Sequence, residues 1–133
     1  MATIKSHTDL EQSKKLAEIL PLETADMCYV WDFECERYIP QLFSFITNQD
    51  NKGVEHIDYP CWSLAALLEQ LPYEICDDDG NSSYLQIDKE DDVYQLVYTD
   101  PYGDFESTET DRHEHFVDAC YEMIVKLKEE GLL

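Results

Sequence analysis

Hydrophobic residues near the end of the chain recur with helical spacing. Phe116, Ala119, Cys120, Met123, Ile124 and Leu127 stand at i, i+3, i+4, i+7, i+8 and i+11, the pattern of one face of an amphipathic helix. Thr110 or Asp111 is expected to cap this helix, and Gly131 to close it. Glu122 and Lys126, one turn apart, should pair on its outer face. Together these signals predict a helix of about five turns.

A second stripe lies in residues 60–72, "PCWSLAALLEQLP", where Leu64, Leu67, Leu68 and Leu71 share a face. Ser63 is placed to cap a short helix and Pro72 to stop it. Trp62 stands at its entry, where it serves either as a core anchor or as part of a recognition surface. The cap, stripe and stop favour the core. Near the start, Thr8-Asp9-Leu10-Glu11 has capping-box spacing. Leu10, Ala17 and Leu20, with Leu16 beside them, predict a helix that Pro21 ends.

The remaining pattern is that of strands. "DMCYVW" (26–31) reads as one. "RYIPQLFSFI" (37–46) reads as a second, which Pro40 would confine to a sheet edge. "TNQDNKG" is loop-like by composition, and residues 32–59 as a whole remain open between strand, helix and ordered loop. "YEIC", "YLQID", "VYQLVYT" and "FESTE" then follow, separated by the turns "DDDGNS", "KEDD" and "DPYGD". In "VYQLVYT", Val93, Gln95 and Val97 oppose Tyr94, Leu96 and Tyr98, so one face should be rich in tyrosine. No repeat or linker divides the chain. The expectation is a single α+β domain over residues 1–133. A small antiparallel sheet would pack with an N-terminal helix, a short central helix and a long C-terminal helix, in a strand order that the pattern does not fix.

Charge changes this picture most. Thirty acidic residues against nine basic ones give a formal net charge of −21 over 133 residues. The first twenty residues are balanced, so the excess falls later. Between Asp77 and Asp118 stand fourteen acids and only Lys89 and Arg112 as bases. Such a field repels nucleic acid and anionic membrane and attracts basic surfaces, although it also serves plain solubility. The five cysteines, Cys28, Cys35, Cys61, Cys76 and Cys120, form no CxxC pair. "MATIKSHTDLEQ" lacks the apolar stretch of a signal peptide, and no apolar run approaches ~18 residues. A cytoplasmic chain with reduced thiols is expected.

Candidate chemistry is sparse. Arg112-His113-Glu114-His115 sets two histidines at i, i+2, which on a helix point about 200° apart and cannot share one ion. If Gly80 were position 6 of a calcium loop, Ile75 and Gln86 would fall at its first and last ligand positions, where neither residue serves. Phosphate-binding glycine motifs are missing, and nothing favours one Cys–His pair over another. No catalytic residue, metal ligand or cofactor is therefore assigned, and an enzyme is not expected.

Three segments carry a resemblance: "LEQSKKLAEILPLETADMCY", "PCWSLAALLEQLP" and "DACYEMIVKLKEEGLL", in that order. With them the chain resembles a family of small acidic proteins encoded in gut Bacteroides genomes, their prophages and their phages. The resemblance covers most of the chain and is weakest over 32–57 and 73–111. It implies a mobile-element origin and an intracellular bacterial setting. It attaches no activity, so no functional residue is transferred.

The function expected is non-enzymatic binding of a protein partner with a basic surface, in the manner of a nucleic-acid mimic or anti-defence inhibitor. Same-face residues on a strand lie about 6.6–6.8 Å apart, about twice the ~3.4 Å axial spacing of phosphates on one DNA strand. The candidate face comprises Asp88, Glu90, Asp91, Asp92, Asp100, Asp104, Glu106 and Glu109. The competing expectation is an accessory or scaffold protein whose tyrosines and Trp62 form an apolar interface or a homo-oligomer.

Overall fold

The computed structural model describes residues 4–42, 57–103 and 106–133. Asp104 and the "TNQDNKG" segment lie outside them. Among the described residues the fold is α+β, with three α-helices and two antiparallel sheets. Two compact units make up the chain, one over Ser6–Ala66 and the other over Leu67–Leu133 with the N-terminal residues through Lys5.

The first unit begins with helix α1 (Leu10–Ile19), followed by a single 3-10 turn (Leu22–Thr24). Asp9, not Thr8, caps α1. Its carboxylate accepts the Gln12 amide at 2.8 Å, and the Gln12 side chain returns a bond to the Asp9 amide at 3.0 Å. The box sits one residue later than its spacing suggested because the Thr8 hydroxyl is engaged elsewhere: it meets Ser13 Oγ at 2.8 Å and accepts the Trp62 amide at 3.2 Å. The buried side of α1 is accordingly Ser13, Leu16 and the adjacent Leu20, while Ala17 faces solvent.

Strands β1 (Met27–Asp32), β2 (Arg37–Leu42) and β3 (Ile57–Cys61) form a sheet in the order β2-β1-β3. Pro40 lies on an edge strand, as its missing N–H requires. On the opposite edge, Pro60 of β3 stands across from Cys28. Met27, Tyr29 and Trp31 alternate onto one face of β1. There Tyr29 donates to the Thr8 carbonyl at 2.7 Å, and Trp31, Tyr38 and Tyr59 stack edge to face.

Ser63 opens helix α2 (Leu64–Gln70), its hydroxyl accepting the Ala66 amide at 3.2 Å. Asp26 fixes this cap by accepting both the Ser63 amide, at 2.9 Å, and its hydroxyl. Trp62 is fully buried and donates its indole N–H to Thr24 at 2.9 Å. The core reading of "PCWSLAALLEQLP" therefore holds, with Leu67 and Leu71 buried and Leu64 and Leu68 half-buried.

The second unit has strands β4 (Glu74–Cys76), β5 (Ser82–Glu90), β6 (Val93–Thr99) and β7 (Glu106–Glu109), in sequential order. Helix α3 (Phe116–Glu129) buries Val117, Ala119, Cys120, Met123, Ile124 and Leu127 and packs on β6 through Tyr94, whose ring meets Phe116 at 5.1 Å. Gly131 closes α3 at φ 73°, where the Leu132 amide reaches the Leu127 carbonyl and the Gly131 amide that of Lys128.

Neither Thr110 nor Asp111 caps α3, which is shorter than its pattern suggested and starts after His115. Residues 110–113 continue along β6 instead. Thr110 exchanges bonds with Leu96, its amide donating to the Leu96 carbonyl and its hydroxyl accepting the Leu96 amide. His113 and Tyr94 exchange both backbone bonds, at 2.7 and 2.8 Å.

Candidate functional site

Alternation along β5 and β6 sorts the acidic residues by face. Leu96 and Tyr98 point toward the α3 side, together with Leu85 and Ile87 of β5 and Thr108 of β7. Gln86, Asp88 and Glu90 then point to the other side, opposite Val97, Gln95 and Val93. On β7, Glu109 pairs with Val97 and, past an irregularity between Tyr98 and Thr99, Glu106 pairs with Thr99. That irregularity brings both glutamates onto the face that carries Asp88.

The electrostatics reflect this convergence. Glu106 is held above the usual glutamate pKa, first by sharing a hydrogen bond with Glu109, then by the charges of Glu109 and Asp88. Two glutamines temper the cluster. Gln86 donates to Asp88 at 2.7 Å, and Gln95 donates to Glu109 at 3.4 Å and to the Thr110 carbonyl at 2.8 Å. Gln86 reaches Asp88 along one face of β5, whereas the role of Gln95 follows only from cross-strand register.

The other candidates are dispersed. Glu90 pairs with Arg112 at 3.4 Å, so one of the few local cations already attends it. Asp91 and Asp92 form the two-residue tip of the β5–β6 hairpin, with Asp91 in the left-handed region at φ 54°. Asp100 follows β6, and its carbonyl accepts the Gly103 amide at 3.0 Å. Of the eight acidic candidates, the structure thus gathers Asp88, Glu106 and Glu109, with Glu90 alongside on the same face.

A separate polar network joins α3 to the 110–113 segment. Glu122 meets His113 Nε2 at 2.7 Å, Lys126 Nζ at 3.2 Å and the Asp111 amide at 3.1 and 3.2 Å. Burial works to raise the Glu122 pKa, but the bonds from His113, Asp111 and Lys126 together hold it below the usual glutamate range. His113 is therefore oriented by a carboxylate and by its backbone bridge, and His115 occupies the residue before α3. Among the described residues, no three His, Cys, Asp or Glu side chains are grouped to hold a metal ion.

The acidic turn before β5 is self-satisfied. Asp77 accepts the amides of Asp79 and Asn81 at 2.9 and 2.8 Å and the Asn81 side chain at 3.1 Å. Bonds from the Asn81 amide and side chain, helped by those from Asp79 and Gly80, hold Asp77 below the ordinary aspartate pKa against an opposing desolvation. Three cysteines are buried, and burial first of all raises their thiols: Cys28 to about 11, Cys120 to about 12, and Cys61 in the same direction. Cys35 and Cys76 are exposed.

Among the described residues, no helix is long and apolar enough to cross a membrane. Compared with protein-family models, with curated proteins and with solved structures, the chain matches none.

Proposed function

We propose that this chain is a non-enzymatic acidic protein that binds a basic protein partner through the face of the second sheet carrying Asp88, Glu106 and Glu109. The observation that carries this reading is their convergence from two strands, close enough for their charges to oppose ionisation of Glu106. Carboxylates held near one another at a cost in self-repulsion make a field that a cationic surface relieves. A partner that normally grips phosphates meets a comparable row of anionic oxygens here, so the face stands in for nucleic acid. With the sequence resemblance to proteins of Bacteroides phages and prophages, the setting we propose is a bacterial cytoplasm, and the proposed target class is a nucleic-acid-handling host or defence protein.

The apolar-interface alternative loses Trp62, which is fully buried, and keeps only exposed tyrosines such as Tyr73 and Tyr102. The test is affinity capture from a Bacteroides lysate at low and high salt, run beside a variant carrying Asp88→Asn, Glu106→Gln and Glu109→Gln. Basic, nucleic-acid-handling proteins should be retained at low salt, released as salt rises, competed by DNA or RNA, and lost with the triple variant. Retention of no such protein at low salt, or equal retention by the variant, refutes the reading.

A further inference from the structure

We propose that the outer edge of β5, over Gln86–Glu90, takes up an extended basic segment of the partner as an added strand. This rests on the acidic-face reading above and names the form in which the partner is recognised. β4 pairs with β5 only from Ser82 to Tyr84, and the Leu85 amide reaches the Tyr73 carbonyl at 3.0 Å. Beyond that bond, among the described residues, no strand runs along this side of β5.

The register tells which backbone groups are open. Glu90 and Val93 flank a two-residue turn, so Glu90, Asp88 and Gln86 direct their N–H and C=O groups toward β6. Those of Ile87 and Lys89 point outward, in phase with the Leu85 amide. Edge strands with open hydrogen-bonding groups are templates for strand addition. Ile87, a large apolar side chain left 46% exposed, stands midway along this edge.

Side-chain chemistry selects the occupant. On one face the edge presents Asp88 and Glu90, and on the other Ile87, with Lys89 lying over the Tyr94 ring at 5.4 Å. Inward of it, a groove of about 480 Å³ lined by Ile87, Asp88, Glu90, Tyr94 and Arg112, among others, spans β5 and β6. A strand with Lys or Arg alternating with apolar residues satisfies both faces at once, since directly opposed side chains share a face. A second copy of this chain does not fit, because antiparallel β5–β5 pairing over Gln86–Glu90 sets Asp88 against Asp88, with each Glu90 diagonal to the same aspartate. Arg112, now on Glu90, is the internal cation that an incoming lysine or arginine displaces.

One detail makes the proposal sharp. Residues opposite Ile87 and Lys89 exchange backbone bonds with them and lie on the apolar face, so it is the apolar residues of the added strand whose amides point at β5. The probe is a capped, rhodamine-labelled peptide of four Lys-Val repeats, in unmodified form, N-methylated on its valines, and N-methylated on its lysines. The unmodified and lysine-methylated peptides should bind at low salt, and the valine-methylated peptide at least tenfold more weakly. At saturation the Ile87 and Lys89 amides should exchange with solvent at least tenfold more slowly.

Equal binding of all three peptides without protection of those amides overturns strand addition and leaves a purely electrostatic face. Binding of none of them at low salt overturns strand addition as well. In that case, capture of basic proteins by the wild-type chain but not by the triple variant decides whether the acidic-face reading survives.

Discussion

Replacing Thr8 by valine tests the buried polar hub of the first unit with almost no change of shape. Thr8 is fully buried. Its backbone is bound to the Trp62 carbonyl at 2.9 Å and accepts Tyr29 OH at 2.7 Å, and valine keeps both bonds. The hydroxyl alone is lost, and with it the acceptor for the Trp62 amide and the partner of Ser13 Oγ. Among the described residues, no buried side-chain nitrogen or oxygen lacks a partner, so a vacated bond has few ready replacements. A buried amide left without an acceptor costs about 1–3 kcal/mol, and the hydroxyl pair contributes about 1 kcal/mol more. The sum is about 2–4 kcal/mol, which at a urea m-value of about 2 kcal/mol/M lowers the midpoint by about 1–2 M. Both tryptophans, Trp31 and Trp62, belong to this unit, so intrinsic fluorescence reads its unfolding directly. Ser13→Ala should be less than additive with Thr8→Val, because the two share one bond. A fall of less than about 0.3 M for Thr8→Val, or strict additivity, refutes the claim that the hydroxyl holds α1 to the Trp62 strand end.

Other perturbations have equally definite outcomes. Asp91→Gly should stabilise the second unit by about 0.5–1 kcal/mol by relieving the left-handed backbone at φ 54°, seen as a higher thermal midpoint by far-ultraviolet circular dichroism. A thiol reagent at pH 8 should modify Cys35 and Cys76 quickly in the native protein, and Cys28, Cys61 and Cys120 only after unfolding. The buried thiols are shielded, and burial raises two of them to about 11 and 12. Glu122 contributes stability that is present above its unfolded pKa and is lost as pH falls through its depressed folded value. Glu122→Gln should therefore destabilise most at neutral pH and flatten the acid limb of a stability–pH curve. Glu106 works in the opposite sense, since its raised folded pKa makes its ionised form unfavourable. Its contribution is fully present below the unfolded pKa and is lost as pH rises through the folded one. Glu106→Gln should thus stabilise the protein at pH 7 and have little effect at low pH.

The parts of the fold that were legible in the sequence are those set by local chemistry. The leucine stripe with Ser63 and Pro72 gave α2 its limits, and Pro40 marked an edge because a missing N–H has the same meaning in any sheet. The start of α3 was not legible. Residues 110–115 suit a helix terminus by composition, but Thr110 and His113 bond with Leu96 and Tyr94 across the sheet, and helical periodicity cannot register a nonlocal competitor. The acidic site divides along the same line. Period-two alternation places Asp88 and Glu90 on one face from sequence alone. That Glu106 and Glu109 join them depends on strand order and on the irregularity at Tyr98 and Thr99. Asp91, Asp92 and Asp100 were grouped with them by proximity in sequence, which turns do not preserve in space.

The two prolines of the first sheet have a consequence for growth of the protein into larger assemblies. Pro40 and Pro60 lie on its opposite edges, each across from β1, so each ring stands on an outer margin where a further chain would need an N–H. Among the described residues, each edge of that sheet therefore carries a proline that interrupts extension. The second sheet has no proline in its strands, and the open margin of β5 is guarded by side-chain charge alone, that of Asp88 and Glu90 with Lys89 between them. Protection of the first kind is covalent and indifferent to conditions. Protection of the second kind fades as acid or high salt removes the charge, so unwanted fibre-like association of this protein should begin at β5 and in acidic solution.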